Sequence, residues 1–401
     1  MPSNPSKAAA IVAAAEADEI GYLANPKTDM MLGIEAIHNV CREAGITTKD
    51  IEGIANPGGA NSYAEYLGIV PKWVDTTAVG GCSFQIHVAH MLAAVNAGML
   101  DIGVVVNGQA GYSRRSFPRG AAGGPGGDAL GPDAQFMTPY GVMGAPSQYS
   151  HALTRHMHQW GSTKEDFAEI AVSTRKWAML NPRAVMHSKE TNPNGGAITV
   201  DDVLNSRIIS WPLNILDCCL VTDHGGAVIV ASAAAAKSFR TPPVWIAGAG
   251  EAIGHQTMLE MKDYTATSAA ASGGRAYKMA GMGPEDMEMA MIYDSFTVTV
   301  GITAEMLGLT KRGEGPSLFA NGAAGPGGSG IPINTNGGGL SFNHSGMYGM
   351  QLLVEAYRQL SRTAEDGING LPGKQVDAET CIVNGTGGSL SATGTLVLTV
   401  D

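Results

Sequence analysis

Residues 336–350 read NGGGLSFNHSGMYGM, with three consecutive glycines, a histidine and a tyrosine in front of a helical pattern at 351–360. Glycines let the backbone turn sharply and approach a ligand closely, and the start of a helix points free N–H groups and a positive dipole end at the turn. Such a turn can hold a developing oxyanion. The alternative interpretation is a plain glycine loop before an amphipathic helix.

The glycine motif occurs twice, because residues 80–84 (GGCSF) match residues 338–342 (GGLSF), each before a helical pattern. Three further matches follow the same order along the chain: 11–21 with 245–254, 44–52 with 280–288, and 105–108 with 382–385. Long-range self-similarity of this kind indicates a duplicated fold. We therefore expect an α/β protein with two βαβαβ halves about a pseudo-two-fold axis, built from parallel strands that are apolar on both faces.

The length of 401 residues suits two such halves, which we place at 1–240 and 241–401. The segment 109–213 has no counterpart in the second half and is predicted to be an inserted lid or substrate-binding layer. Its glycine-rich stretch 121–127 lacks the Gly-Lys-Ser/Thr of a phosphate loop, so we interpret it as a mobile surface loop.

Composition narrows the class of protein. Hydrophobic residues make up 44% of the chain and charged residues 15%, as in a globular enzyme. The net charge of −11 argues against nucleic acid or an anionic membrane as partner, and no apolar run is long enough to span a bilayer. The five cysteines are odd in number and lack metal-type spacing, which predicts a cytoplasmic protein without a metal site.

These motifs resemble those of the thiolase superfamily, and within it the sterol-carrier-protein-x type thiolases and the thiolase-like acyl-CoA aldolases. The resemblance runs from about Ile11 to the C-terminus. Besides the two glycine turns it rests on residues 216–227 (LDCCLVTDHGGA), 293–297 (YDSFT) and 384–388 (NGTGG). It implies a five-layer αβαβα thiolase fold with a loop-domain insertion in the first half, and a homodimer.

The resemblance leaves the nucleophile position open between two residues. In a thiolase, the cysteine at the first glycine turn is acylated by the substrate. The apolar spacing and Gly98 place Gly81 there, and Cys82 fits after a slide of one residue. A thiolate at Cys82 would be stabilised by the helix dipole. The alternative interpretation of Cys82 is a small buried residue in a tight turn.

The other thiolase motifs are altered in ways that favour proton transfer. Tyr293 replaces the asparagine or histidine that opens the second motif, and His344 remains without its flanking glycine and proline. Tyr293 and Tyr348 are predicted to line one cavity and move protons, while His344 and backbone N–H groups of the glycine turns hold an enolate oxygen. Gly81, Asn343 and Gly387 are the residues assigned to these turns. Met143, Asp294 and Arg114 are expected to bind substrate.

Three hypotheses about function follow from the resemblance. The first is an acyl-CoA lyase that cleaves a β-hydroxyacyl-CoA by a retro-aldol reaction, as in steroid side-chain breakdown. The second is a thiolase or acetyl-CoA acetyltransferase with Cys82 as nucleophile and His344 as its base. The third is an inactive acyl-CoA- or lipid-binding subunit of a complex. Coenzyme A is expected as part of the substrate, with no tightly bound cofactor, and the partner as a small OB-fold or zinc-ribbon protein.

Overall fold

The computed structural model describes residues 4–117, 131–364 and 373–400, so the predicted surface loop at 121–127 lies outside the described residues. The strands are β1 Ala9–Glu16, β2 Gly53–Ala55, β3 Trp73–Asp75, β4 Ile102–Ala110, β5 Ile208–Ser210, β6 Leu213–Asn214, β7 Asp223–Ser232, β8 Val244–Ile253, β9 Met289–Ile292, β10 Thr380–Gly387 and β11 Ala392–Thr399. The α-helices are α1 Asp29–Ala44, α2 Ala60–Leu67, α3 Ser83–Asn96, α4 Pro132–Phe136, α5 Gly144–Trp160, α6 Lys164–Met179, α7 Val200–Asn205, α8 Ala233–Ala236, α9 Ala269–Ala280, α10 Thr297–Met306 and α11 Gly349–Leu360.

Nine strands form one sheet in the order β3-β2-β4-β7-β1-β8-β11-β10-β9. Read outward from its centre, the order β1-β7-β4-β2 is repeated by β8-β11-β10-β9, which confirms the duplication. The two halves join where β1 pairs with β8, through Ala10 with Trp245 and Ile11 with Val244. The boundary between residues 240 and 241 and the limits of the insertion stay predictions.

The prediction that all strands run parallel is wrong for one strand in each half. β7 is antiparallel to β1 and β4, and β11 is antiparallel to β8 and β10. Parallel pairing is confined to β2 with β3 and β4, and to β9 with β10, among the described strands. Because both faces of the sheet are covered, an antiparallel strand here is as uniformly apolar as a parallel one.

Helices α3 and α11 form the central layer of the fold. Each contacts strands of both halves, whereas α1 packs on the first half and α9 on the second. Ten residues of α3 and eleven of α11 are buried, as expected of helices with neighbours on every side. The strands of the two halves thus form the two β layers on either side of α3 and α11, with α1 and α9 outside them. This is the predicted five-layer αβαβα arrangement. None of the helices in the described ranges is long and apolar enough to cross a membrane.

The second glycine motif differs in structure from the first. Gly80 and Gly81 lie directly before α3, but residues 338–342 form a π-helical turn and α11 begins only at Gly349. The structural counterpart of the first turn is therefore Gly346, whose φ of +122° places it in a region that favours glycine. The sequence match of 80–84 with 338–342 is therefore eight residues out of register with the two helices.

Candidate active site

The N-termini of α3 and α11 meet with almost no space between their backbones. A Cβ added at Gly349 would lie 2.0 Å from the carbonyl oxygen of Gly81. The end of β10 packs on the same turn, because a Cβ at Gly387 would lie 1.8 Å from the carbonyl oxygen of Val79. The glycines of both halves thus bring three chain segments together at one point.

Tyr293, which follows β9, carries the hydroxyl at the centre of this site. Its oxygen lies 3.1 Å from Nε2 of His344 and 3.0 Å from the backbone nitrogen of Tyr348. The N–H of Gly346 donates to Nδ1 of His344 over 3.3 Å, so Nδ1 is the acceptor and Nε2 bears the hydrogen. The hydroxyl oxygen of Tyr293 therefore accepts two N–H donors, and its own hydrogen points at the carbonyl of Gly346, 3.4 Å away.

Burial keeps both groups uncharged at neutral pH. It raises the pKa of Tyr293 well above that of a free phenol, and the N–H of Tyr348 opposes this rise. Burial also lowers the pKa of His344 to about 4, so the imidazole stays neutral. A neutral phenol with two N–H donors on its oxygen can give up its proton to a reacting group, and the donors then stabilise the phenolate.

Tyr348 reaches this site through its backbone and not through its hydroxyl. Its hydroxyl is fully buried and donates to Oδ1 of Asn336 over 2.8 Å. The backbone N–H of Tyr348, which bonds Tyr293, lies at the other end of the same residue. Its ring lies nearly parallel to that of His344, at 17° and with 6.1 Å between the centroids. Tyr348 thus supports the imidazole and supplies an N–H donor.

Gly81, rather than Cys82, faces Tyr293. A Cβ at Gly81 would lie 2.2 Å from Cε2 of Tyr293, so the tyrosine ring occupies the space that a side chain at position 81 would need. The thiol of Cys82 packs with Ile86 and Ala392 and lies against Gly387, where an added Cβ would be 2.9 Å from Sγ. Burial raises the pKa of this thiol to about 12, because desolvation outweighs the backbone N–H groups near it. Stabilisation of a Cys82 thiolate by the helix dipole stays a prediction.

Asp294 and Asn343 hold the π-helical turn in place. The carboxylate of Asp294 accepts the N–H groups of Gly339 at 2.6 Å and Leu340 at 3.2 Å, while burial raises its pKa to about 7. The amide of Asn343 donates to the carbonyl of Asp223 over 2.9 Å. The structure therefore gives the side chains of both residues partners within the protein.

The remaining predicted residues lie further out. Met143 is exposed at the N-terminus of α5, and Arg114 pairs with Asp29 over 3.0 Å. The insertion reaches the site through another residue, since the buried Tyr149 on α5 donates to the carbonyl of Gly388 over 3.2 Å. Substrate contacts of Met143 and Arg114 stay predictions.

Thr222, which is not among the predicted site residues, fixes His344. The N–H of His344 donates to Oγ1 of Thr222 over 2.9 Å, and the N–H of Thr222 donates to the carbonyl of His344 over 3.0 Å. Thr222 lies within the family-like segment 216–227. Nothing in that segment indicates contact with a residue 122 positions away, so the sequence carried no signal for this role.

This chain is similar to several known proteins in sequence and in fold. Residues 250–400 match the family model "Thiolase C-terminal domain-like". The 17-hydroxy-3-oxo-4-pregnene-20-carboxyl-CoA lyase of Mycobacterium tuberculosis is 30% identical over 88% of this chain and 92% of its own. The steroid side-chain-cleaving aldolase of Thermomonospora curvata is 30% identical over 84% and 87%. The solved "Ltp2-ChsH2(DUF35) aldolase" superposes with a TM-score of 0.84, at 28% identity and covering 99% of each chain.

The fold and the site together define a protein of the thiolase class in which a tyrosine ring fills the space facing the first glycine turn. Two relatives at 30% identity cover most of both chains. The chain therefore belongs to the thiolase superfamily, in the branch of the thiolase-like acyl-CoA aldolases.

Proposed function

We propose that this enzyme cleaves a carbon–carbon bond of a β-hydroxyacyl-CoA by a retro-aldol reaction. The observation that carries the proposal is the contact between Gly81 and Tyr293. A proton-transfer group occupies the space in which a thiolase would need its nucleophile. The names of two relatives at 30% identity, a carboxyl-CoA lyase and a side-chain-cleaving aldolase, support the same chemistry.

One tyrosine can carry the whole proton cycle. In the small fraction of enzyme that holds Tyr293 as the phenolate, this group takes the proton of the substrate β-hydroxyl, the Cα–Cβ bond breaks, and a carbonyl forms at Cβ. The electron pair of the broken bond becomes a thioester enolate. Tyr293 then returns its proton to Cα, which releases the shortened acyl-CoA and regenerates the phenolate. The two N–H donors on the tyrosine oxygen stabilise the phenolate in this cycle.

Backbone N–H groups are the proposed donors to the enolate oxygen. The N–H of Ser83, the first residue of α3, already donates to the carbonyl of Gly80 over 3.0 Å. The proposed donors are therefore the other N–H groups of the first turn, at the positive end of the helix dipole. The turn at Gly387 and Gly388 packs against them. The Nε2–H of His344 already bonds Tyr293, so we propose that His344 acts through the tyrosine and not on the enolate directly.

Thiolysis with Cys82 as nucleophile is the second candidate. The position of Cys82 before α3 favours it. Against it, the thiol is fully buried in an apolar cluster, and its pKa is raised to about 12.

The setting of the enzyme is proposed from its relatives and its charge. We propose coenzyme A as part of the substrate with no other cofactor, and a homodimer in the cytoplasm. One solved relative is named as a complex with a DUF35 protein, so a small OB-fold or zinc-ribbon partner is proposed here too. The acyl group is proposed to be of the lipid or steroid side-chain type.

Tyr293→Phe tests the proposal with the β-hydroxyacyl-CoA named for the M. tuberculosis relative as probe. Loss of general acid–base catalysis should lower kcat by about 10²- to 10⁴-fold, measured by chromatography of the released ketone. Tyr357→Phe is the matched control, because its buried hydroxyl bonds the carbonyl of Val12 away from the site. It should leave kcat unchanged.

The pH dependence gives a second readout. Since the pKa of Tyr293 is raised, its phenolate fraction is small at neutral pH and grows as pH rises, so wild-type kcat/KM should increase with pH. Full activity in Tyr293→Phe would refute the proposal. An acyl adduct formed from acetyl-CoA that disappears in Cys82→Ala would instead establish thiolysis.

A further inference from the structure

We propose that Gln109, assisted by Asn107, is a positioning residue that holds the backbone of Met347 and thereby aims two N–H donors at Tyr293 and His344. The inference rests on the proposed function, because it assigns a role within that site. Both amides belong to β4 of the first half, whereas Met347 belongs to the second half.

The contacts form a clamp around one residue. Oε1 of Gln109 accepts the N–H of Met347 at 2.7 Å, and Nδ2 of Asn107 approaches the carbonyl of Met347 at 3.5 Å. The two side chains are two positions apart on a strand, so they project from the same face of the sheet. Gln109 also packs against Gly346, where an added Cβ would lie 2.8 Å from Nε2. A side chain at 346 would displace the amide.

The clamped residue lies between the two donors that define the site. Gly346, just before it, donates to Nδ1 of His344 and thereby fixes the imidazole tautomer. Tyr348, just after it, donates to the hydroxyl oxygen of Tyr293. A shift of the Met347 backbone therefore moves both donors at once.

The loop needs this support because it lies at the surface. His344 is held by Thr222 and α11 begins at Gly349, but Gly346 is exposed and Met347 half-buried. Without Gln109, the N–H of Met347 would bond water and the loop could take other conformations. Preorganised donors contribute to catalysis because they need no reorganisation during the reaction.

The test compares Gln109→Leu, Gln109→Glu and the control Gln375→Leu. Gln375 is also half-buried and also accepts a backbone N–H, from Ala364 at 3.1 Å, in a different part of the fold. The first readout does not depend on turnover: the ring ¹⁵N chemical shifts of His344 in the substrate-free protein, assigned with His344→Gln. Gln109→Leu should move these shifts towards a mixture of tautomers, and Gln375→Leu should not.

The second readout is kinetic. Gln109→Leu should lower kcat by up to about 100-fold with KM little changed. The pH range over which activity rises should shift to higher pH in Gln109→Leu. The N–H of Tyr348 lowers the pKa of Tyr293, and the variant weakens this hydrogen bond. Cys219, Tyr149 and Asp294, which also influence that pKa, are untouched by the variant. Gln109→Glu keeps the acceptor oxygen and should restore the plateau kcat.

Each outcome decides the proposal. Wild-type His344 shifts and an unchanged pH range of rising activity in Gln109→Leu would overturn it, even if kcat fell. If Gln109→Leu does not fold, Gln109→Glu decides, since altered His344 shifts in a folded protein with the acceptor retained would overturn the clamp. Full activity of Tyr293→Phe would refute the proposed function alone, because the shift experiment still reports on the clamp.

Discussion

Gly81→Ala probes the contact on which the proposed function depends. The new Cβ would lie 2.2 Å from Cε2 of Tyr293 and 2.6 Å from the carbonyl oxygen of Thr386. Carbon atoms in contact sit about 3.5–4.0 Å apart, so the tyrosine ring must retreat by more than about 1 Å. That movement takes the hydroxyl of Tyr293 away from its two N–H donors.

The expected loss of activity in Gly81→Ala follows from this displacement of the tyrosine ring. A misplacement of about 1 Å can cost about 100-fold in rate, which corresponds to about 2.7 kcal/mol in the barrier. Overpacking of a buried site also lowers the free energy of unfolding by about 1–3 kcal/mol. The assays are kcat/KM with a β-hydroxyacyl-CoA and urea unfolding followed by circular dichroism.

Gly274→Ala is the matched control for this experiment. Gly274 lies within α9, and an added Cβ there would meet no heavy atom within 4 Å. Alanine in a helix should keep or raise the unfolding free energy and leave kcat/KM unchanged. The reasoning is refuted if Gly81→Ala retains wild-type kcat/KM, because the ring would then not depend on the space at position 81.

Two further predictions test the buried groups around the site. Cys82→Ala should retain carbon–carbon cleavage. Because burial raises the pKa of the thiol, the wild-type protein should show no acyl adduct with acetyl-CoA by intact mass spectrometry. An activity loss in Cys82→Ala as large as that in Tyr293→Phe would contradict this prediction. Lys374→Met leaves the carboxylate of Glu355 buried without its ion-pair partner and should cost about 3–5 kcal/mol in urea unfolding. Lys72→Met removes an exposed pair and should have little effect; an equal loss in both variants would contradict the burial argument.

The sequence determined the architecture because the duplication is written in local patterns. Asp50 and Asp286, which match by spacing, occupy equivalent positions before an apolar strand. Asp50 accepts the N–H of Thr47 at 2.8 Å, and Asp286 accepts the N–H of Gly283 at 2.7 Å. Capping residues and glycines act over a few positions, so their pattern is readable without the fold. Strand direction was not readable, since buried strands of either direction are equally apolar.

At the candidate site, the sequence determined which side chains are present, and the tertiary structure decided what each does. Tyr293 and His344 were identified from their motifs. For the nucleophile position of a thiolase, the sequence left the choice between Gly81 and Cys82 open. The structure favours Gly81 through a contact with Tyr293, more than 200 residues away. Thr222 and Gln109 gain their roles in the same way. Hydrogen bonds across the two halves and the desolvation of buried groups depend on distance in space, which spacing along the chain does not encode.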